Sequence, residues 1–196
     1  MELVLIRHGR VQGNPLRPQD DTPLGDVGRR QAQQVAGRLA QDAPPYDALL
    51  CSPLRRAQET AHVIGAQLSL QPQVVDELIE MRRHEMWQLL RVGLASRVPL
   101  LRRHPNVRDW QRWKLVARAG NAIAKVINDY ARHQRLLVVA HGGIIWGALV
   151  HFFPEQRVVL TRNREVQNCS ITRLAFEGAA AKLLSVNETQ HLGEFG

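Results

Sequence analysis

Residues 3–10 read LVLIRHGR, and residues 136–143 read LLVVAHGG. Each is a short, uninterrupted apolar run that stops on a histidine followed by glycine. Runs of four or five such residues, rich in Val, Leu and Ile, predict strands covered on both faces, as in a sheet flanked by helices. In an open α/β sheet, ligands bind beyond the carboxyl ends of the strands. If the two runs are neighbours, His8 and His141 face each other across one crevice. The glycine after each histidine removes a side chain where the backbone must turn or approach a ligand.

The rest of the chain alternates in the same way. After a Gly, Pro and Asp-rich loop over 13–25, residues 26–40 place Val27, Val35, Ala36 and Leu39 on one helical face. Pro44-Pro45 breaks that helix, and YDALL at 46–50 reads as a strand running into CSPLRR. Ala57, Ala61, Ile64 and Leu68 space a second helix, and a third strand is predicted near 73–75. A helix over about 117–132 carries Ala119, Ala122, Ile123, Val126, Ile127 and Tyr130 at helical spacing. GIIWGALVHFF reads as a buried helix ended by Pro154, and 170–176 with 181–186 as a hairpin around EGAA. Strands alternating with helices imply an α/β layered sheet. With 196 residues, no internal repeat and no long linker, one domain over 1–196 is the economical reading.

Charge is localised. The net +8 of the chain is carried by 82–118, where ten Arg or Lys meet only Glu85 and Asp109. A concentrated positive field favours an anionic partner: a phosphorylated small molecule, a nucleic acid or an acidic protein. An Arg-rich solvated helical face is the competing reading. Trp110 and Trp113 lie in this stretch without forming an aromatic stacking motif, which argues against nucleic acid. No apolar run reaches the length of a membrane span, and MELVLIRHG reads as a strand and not a signal peptide, so a cytoplasmic protein is expected. Cys51 and Cys169 fit buried, reduced thiols. An exposed strand, or the GIIWGALVHFF helix, offers a surface for a homodimer.

Two histidines, Arg7, and the Arg55-Arg56 pair at the start of a helix suit a tetrahedral dianion, because the arginine fork matches phosphoryl oxygens and a helix N-terminus is electropositive. No HxH or HExxH spacing is present, and arginines beside the histidines would repel a metal cation.

Across nearly its whole length the chain resembles the histidine phosphatase superfamily, the phosphoglycerate mutase-like fold. The resemblance is carried in order by Arg7-His8-Gly9, by Asn14, by SPLRRAQETA at 52–61, by Leu78-Ile79-Glu80 and by VVAHGG. It implies a three-layer sandwich with a mostly parallel central sheet flanked by helices, and a helical basic cap, 82–118, over the pocket. It also implies a cofactor-free and metal-free enzyme. In that reading His8 is the nucleophile, and Arg7, Arg55 and His141 hold the phosphoryl oxygens, with Arg55 preferred to its neighbour Arg56. Glu80 is the proton donor, with Glu77 and Glu85 as rivals, and Asn14, the Gly142 amide and Arg10 contact substrate. The implied activity is phosphatase action on phosphomonoesters of small anionic metabolites. The alternatives are phosphoglycerate mutation, dephosphorylation of protein histidines, or non-catalytic binding of an anion or nucleic acid. The chain departs from the family pattern at Arg10, where Glu or Gln is commoner, at Gly25 in place of a capping Thr or Ser, and at His84 in place of a glycine. RWKLVARAG also stands where Gly-Glu-Ser is usual.

Overall fold

The computed structural model describes residues 1–13, 22–80, 107–156, 166–178 and 180–195, with side chains of the 107–129 helix described from 114 onward. Six strands form one sheet: β1 (Glu2–Arg7), β2 (Ala48–Cys51), β3 (Pro72–Val74), β4 (Arg135–Ala140), β5 (Ile171–Glu177) and β6 (Ala180–Glu188). Their order is β3-β2-β4-β1-β5-β6. The four strands from β3 to β1 run parallel, while β5 and β6 form an antiparallel edge.

The helices are α1 (Asp26–Leu39), α2 (Arg55–Leu68), α3 (Val107–Asp129) and α4 (Gly142–Phe152). The strand pleat divides the core between them. Leu3 and Leu5 of β1 join Leu136 and Val138 of β4 on one face, against Val116, Ala119 and Ile123 of α3 and Ile144, Ile145 and Ala148 of α4. Val4, Ile6, Leu137 and Val139 point the other way, against Ala32, Val35 and Leu39 of α1 and Ala57, Ala61 and Ile64 of α2. Apart from their charged end residues both strands are apolar because both faces are covered, which makes the three-layer sandwich the observed architecture.

Several boundaries differ from expectation. α3 begins at Val107, inside the basic stretch, ten residues before the position read from its apolar spacing. Most apolar residues of α4 belong to the core, while Trp146 and Phe152 are partly buried against it. On β6, Leu184 and Val186 remain exposed. The C-terminal segment is folded onto the body as a short 3-10 turn, Gln190–Phe195, with Leu192 wholly buried beside α1. Gln31 of α1 fastens it: its Oε1 accepts the Arg10 amide at 3.0 Å, and its Nε2 donates to the Phe195 carbonyl at 2.7 Å. Cys51 and Cys169 are buried and unbridged. Among the described residues no helix is long and apolar enough to cross a membrane. The bulk of the basic stretch (82–106), its rival acid Glu85, the loop residue Asn14 and the side chains of Trp110 and Trp113 lie outside the described residues.

At the amino end of the strands, Arg135 and Arg173 are held by Glu2, at 2.5 and 3.2 Å, and Arg173 is also held by Asp42 at 2.8 Å. Arg135 further stacks over the Tyr46 ring, 4.3 Å from its centre. Such enclosed pairs fix geometry more than they add net stability, since desolvation offsets much of the attraction.

At the other end, α1 lies against the turn that follows β1. The Gly25 amide, at the start of α1, donates to the Arg10 carbonyl at 3.0 Å. A Cβ on Gly9 would stand 2.5 Å from the Gly28 carbonyl oxygen, and one on Gly28 only 2.0 Å from that of Arg10. These neighbours are backbone atoms and cannot swing aside. Gly28→Ala is therefore expected to lower the unfolding free energy by about 1–3 kcal/mol. Gly37→Ala, on the same helix with open space around it, should be neutral or raise stability by up to about 1 kcal/mol. Urea unfolding of the two variants checks the contrast.

Candidate active site

The parallel register of β1 and β4 sets the site. Arg7 lies opposite Ala140, so the next residues, His8 and His141, emerge side by side, their ring centres 5.0 Å apart. The ladder runs one step further through the His8 amide, which donates to the Ala140 carbonyl at 3.0 Å. β2 contributes a third tip: past Cys51, the Ser52 amide bonds the Val139 carbonyl, and the Ser52 hydroxyl meets His141 Nε2 at 2.8 Å. Three adjacent parallel strands thus end in Ser52, His141 and His8, in that spatial order.

His8 is held in one tautomer. Its Nδ1 lies 2.8 Å from the Gly9 carbonyl, which can only accept, so Nδ1 carries the proton and Nε2 keeps its lone pair. Burial strips the ring of water and pulls its pKa down to about 3; the Gly9 hydrogen bond opposes this, while the charges of Arg56 and Arg7 add to it. His141 is held well below its ordinary value, first by burial and then by the charges of His8, Arg56, Arg7 and Arg118. Both rings are neutral at physiological pH. The Nδ1 of His141 is buried and has no hydrogen-bond partner among the described residues. A buried polar atom in that condition has hydrogen-bonding capacity left for a further group.

Arg7 reaches from the last position of β1. Its guanidinium donates to the Val166 carbonyl at 2.5 Å and passes the start of α4, where a Cβ on Gly142 would stand 3.6 Å from its Nε. The segment after Val166 braces the tip of β1 from the other side: the Cys169 amide bonds the Arg7 carbonyl at 2.9 Å, and the Asn168 side-chain amide bonds the His8 carbonyl at 2.7 Å.

The preference for Arg55 over Arg56 is corrected by the helix that carries both. Successive residues of a helix point about 100° apart, so two neighbouring arginines cannot share a face. Arg55 turns outward, with half its side chain exposed, and pairs with Glu59 at 2.8 Å. Arg56 turns inward with Ala57, Thr60, Ala61 and Ile64, is 4% exposed, and bears on both histidine rings. Thr60, one turn on, binds α2 to the signature turn: its hydroxyl donates to the Arg56 carbonyl at 2.7 Å and accepts the Gly9 amide at 3.1 Å.

Glu80 arrives from the segment after β3. Its Oε2 accepts the Gly143 amide at 3.3 Å, in the first turn of the helix that His141 caps. A Cβ on Gly143 would lie 2.6 Å from Glu80 Oε1, so the glycine makes room for the carboxylate. Its rival Glu77 is directed elsewhere, 3.6 Å from Lys125 on the solvated side of α3. Arg10 contributes its backbone to the α1 contact, and its side chain is exposed at the rim. Among the described residues no three His, Cys, Asp or Glu side chains converge as a metal cage would require. Ser52, Thr60 and Asn168 were not singled out from the sequence. Ser52 had a usable signal, as the first residue past an apolar strand, whereas Asn168 had none.

The arrangement offers a neutral imidazole lone pair, a second buried imidazole, the buried guanidinium of Arg56, the partly buried one of Arg7 and a carboxyl group at a helix N-terminus. Residues 3–189 match the histidine phosphatase superfamily (branch 1). An uncharacterised phosphatase of Bacillus subtilis, PhoE, is 28% identical, covering 97% of this chain and 96% of that protein. A probable phosphoglycerate mutase of Cronobacter sakazakii, GpmB, is 29% identical over 90% of this chain and 86% of its own. The crystal structure of a phosphoglycerate mutase from Bacillus anthracis superposes with a TM-score of 0.75 at 23% identity, covering 99% of this chain and 96% of that one, and so shares its fold. The chain belongs to the histidine phosphatase superfamily, branch 1.

Proposed function

We propose that this protein hydrolyses phosphomonoesters of small anionic metabolites through a phosphohistidine formed on His8. The observation that carries the proposal is the pairing of two buried, neutral imidazoles, 5.0 Å apart, with the guanidiniums of Arg7 and Arg56. A protonated imidazole could not attack phosphorus, and a neutral one without flanking cations could not hold a dianion beside it.

The proposed steps use the groups that the structure brings together. The Nε2 lone pair of His8 attacks phosphorus as the bond to the leaving alkoxide breaks. Arg7, Arg56 and His141 take the equatorial oxygens, where charge spreads in the transition state. The Gly142 amide, at the positive end of α4, is a further donor. Glu80 in its protonated form gives the leaving oxygen its proton. As carboxylate it then takes one from the water that attacks the phosphohistidine. The P–N bond breaks, Nε2 recovers its lone pair, and inorganic phosphate departs. Arg10 at the rim and the positive charge of the 82–118 stretch favour a substrate with further anionic groups.

The mutase reading shares the same first half and is favoured by the name of the GpmB relative. Incubation with 3-phosphoglycerate separates the two: release of inorganic phosphate supports hydrolysis, and an isomerised product without free phosphate supports mutation.

His8→Ala is expected to abolish turnover of an aryl phosphate and the acid-labile label left by a radioactive phosphoryl donor. Retained label would overturn the nucleophile assignment. Arg56→Ala should lower kcat/KM by about 10²–10³-fold, the usual cost of one charge-stabilising donor, while Arg55→Ala leaves it near the parent value.

The neutral state of His8 has its own consequence for pH. Its folded pKa lies below the 6.5 of an unconstrained histidine, so on acidification the unfolded chain takes up a proton first. Stability is unaffected above that value and is lost as pH falls from it toward about 3, at up to about 1.4 kcal/mol per pH unit. The His8 ring resonances should not titrate between pH 8 and 5. Unfolding free energies of His8→Asn should fall less steeply with acid than those of the parent.

A further inference from the structure

Glu80 sits on a segment with little structure of its own. After β3 the chain makes a single 3-10 turn, Asp76–Leu78, and then Ile79 is extended (φ −61°, ψ 135°). Leu78 anchors the turn, wholly buried in the core that includes Val116 and Ala119 of α3. The second fastening is polar. Arg118, also on α3, donates from its NH2 to the Ile79 carbonyl at 2.8 Å. That carbonyl belongs to the peptide unit that leads directly into Glu80.

We infer that Arg118 is a positioning residue for the Glu80 carboxyl, fixing the backbone from which it reaches the start of α4. The inference rests on the proton-donor role given to Glu80 above. Two contacts then define the carboxyl, one at each end: the Arg118–Ile79 bond behind it and the Gly143 amide, at 3.3 Å, in front. A hydrogen bond from a charged donor is among the stronger ones in proteins, and a proton donor displaced by an ångström loses much of its effect. Arg118 also lies close enough to the site for its charge to act on His141, so it belongs to the reactive edge and not merely to the α3 surface. It falls in the RWKLVARAG run of the sequence.

Leaving-group sensitivity tests the idea, because a proton donor matters little for 4-nitrophenyl phosphate, whose leaving group departs as a stable anion, and greatly for glycerol phosphate. The full-length parent, Arg118→Ala, Arg118→Gln, Glu80→Gln and the Arg118→Ala/Glu80→Gln double variant are assayed on both esters, with folding checked by thermal unfolding. Arg118→Ala is expected to lower kcat/KM on glycerol phosphate by about tenfold or more, part of the ~10²–10⁴ available to a general acid. On 4-nitrophenyl phosphate the loss should be slight. Arg118→Gln, which keeps an amide donor, should restore part of the difference and keeps the test open if the alanine variant unfolds. In the Glu80→Gln background the Arg118 substitution should add almost nothing, as expected of residues acting through one another. Equal losses on both esters, or full additivity with Glu80→Gln, would overturn the inference while leaving the role of Glu80 intact. If Glu80→Gln alone slows both esters equally, the proton-donor reading fails, and the positioning role of Arg118 falls with it.

Discussion

The structure depends on one register: two parallel strands, β1 and β4, paired so that Arg7 faces Ala140. Because side chains along a strand alternate between faces, a slip of one residue would exchange the two halves of the core and carry one histidine away from the other. The same pairing that buries Leu3, Leu5, Val4 and Ile6 therefore sets the distance between the imidazoles. Core packing and chemistry are specified by a single alignment, and neither can drift without the other.

The electrostatics of the site follow from this placement. A histidine flanked by cations and removed from water has every reason to stay neutral, and neutrality is what a nucleophile for phosphorus needs. The same cations would make the crevice hostile to its own charge were it not for an incoming dianion. The Gly9 carbonyl settles which nitrogen holds the proton, and the Ser52 hydroxyl orients the other ring. In the proposed mechanism these two small contacts distinguish the buried imidazoles, one as the attacking group and one as the stabilising group. Elsewhere in the molecule charge is handled differently. At the amino ends of the strands, Arg135 and Arg173 are matched by Glu2 and Asp42.

Much of this was legible in the chain. The apolar runs ending in His8 and His141 announced the buried strands and the shared edge, because a fully covered strand leaves an unmistakable pattern. Helices α1 and α2 could be placed from their apolar spacing to within a residue or two. The choice between Arg55 and Arg56 was not legible from chemistry, since both are arginines at a helix start; helical phase decided it, and Ala57, Ala61 and Ile64 carried that phase all along. The early start of α3 escaped because its first turns carry the basic stretch, whose charges interrupt the sparser apolar spacing of Val107, Trp110 and Trp113. Thr60 and Asn168 escaped for another reason: each acts on backbone groups of β1 or the turn after it, and such contacts join residues 51 and 160 positions apart.

Two segments far apart in the sequence meet through Gln31. Its planar carboxamide grips the residue after the signature triplet with its oxygen and the terminal turn with its nitrogen, so rotating it to suit one breaks the other. A fluorophore or affinity handle placed on the Gln190–Phe195 turn would consequently tug on the reactive edge. At Gly178, between β5 and β6, an added Cβ would meet nothing within 4 Å, so an attachment near this turn would press on no neighbour there.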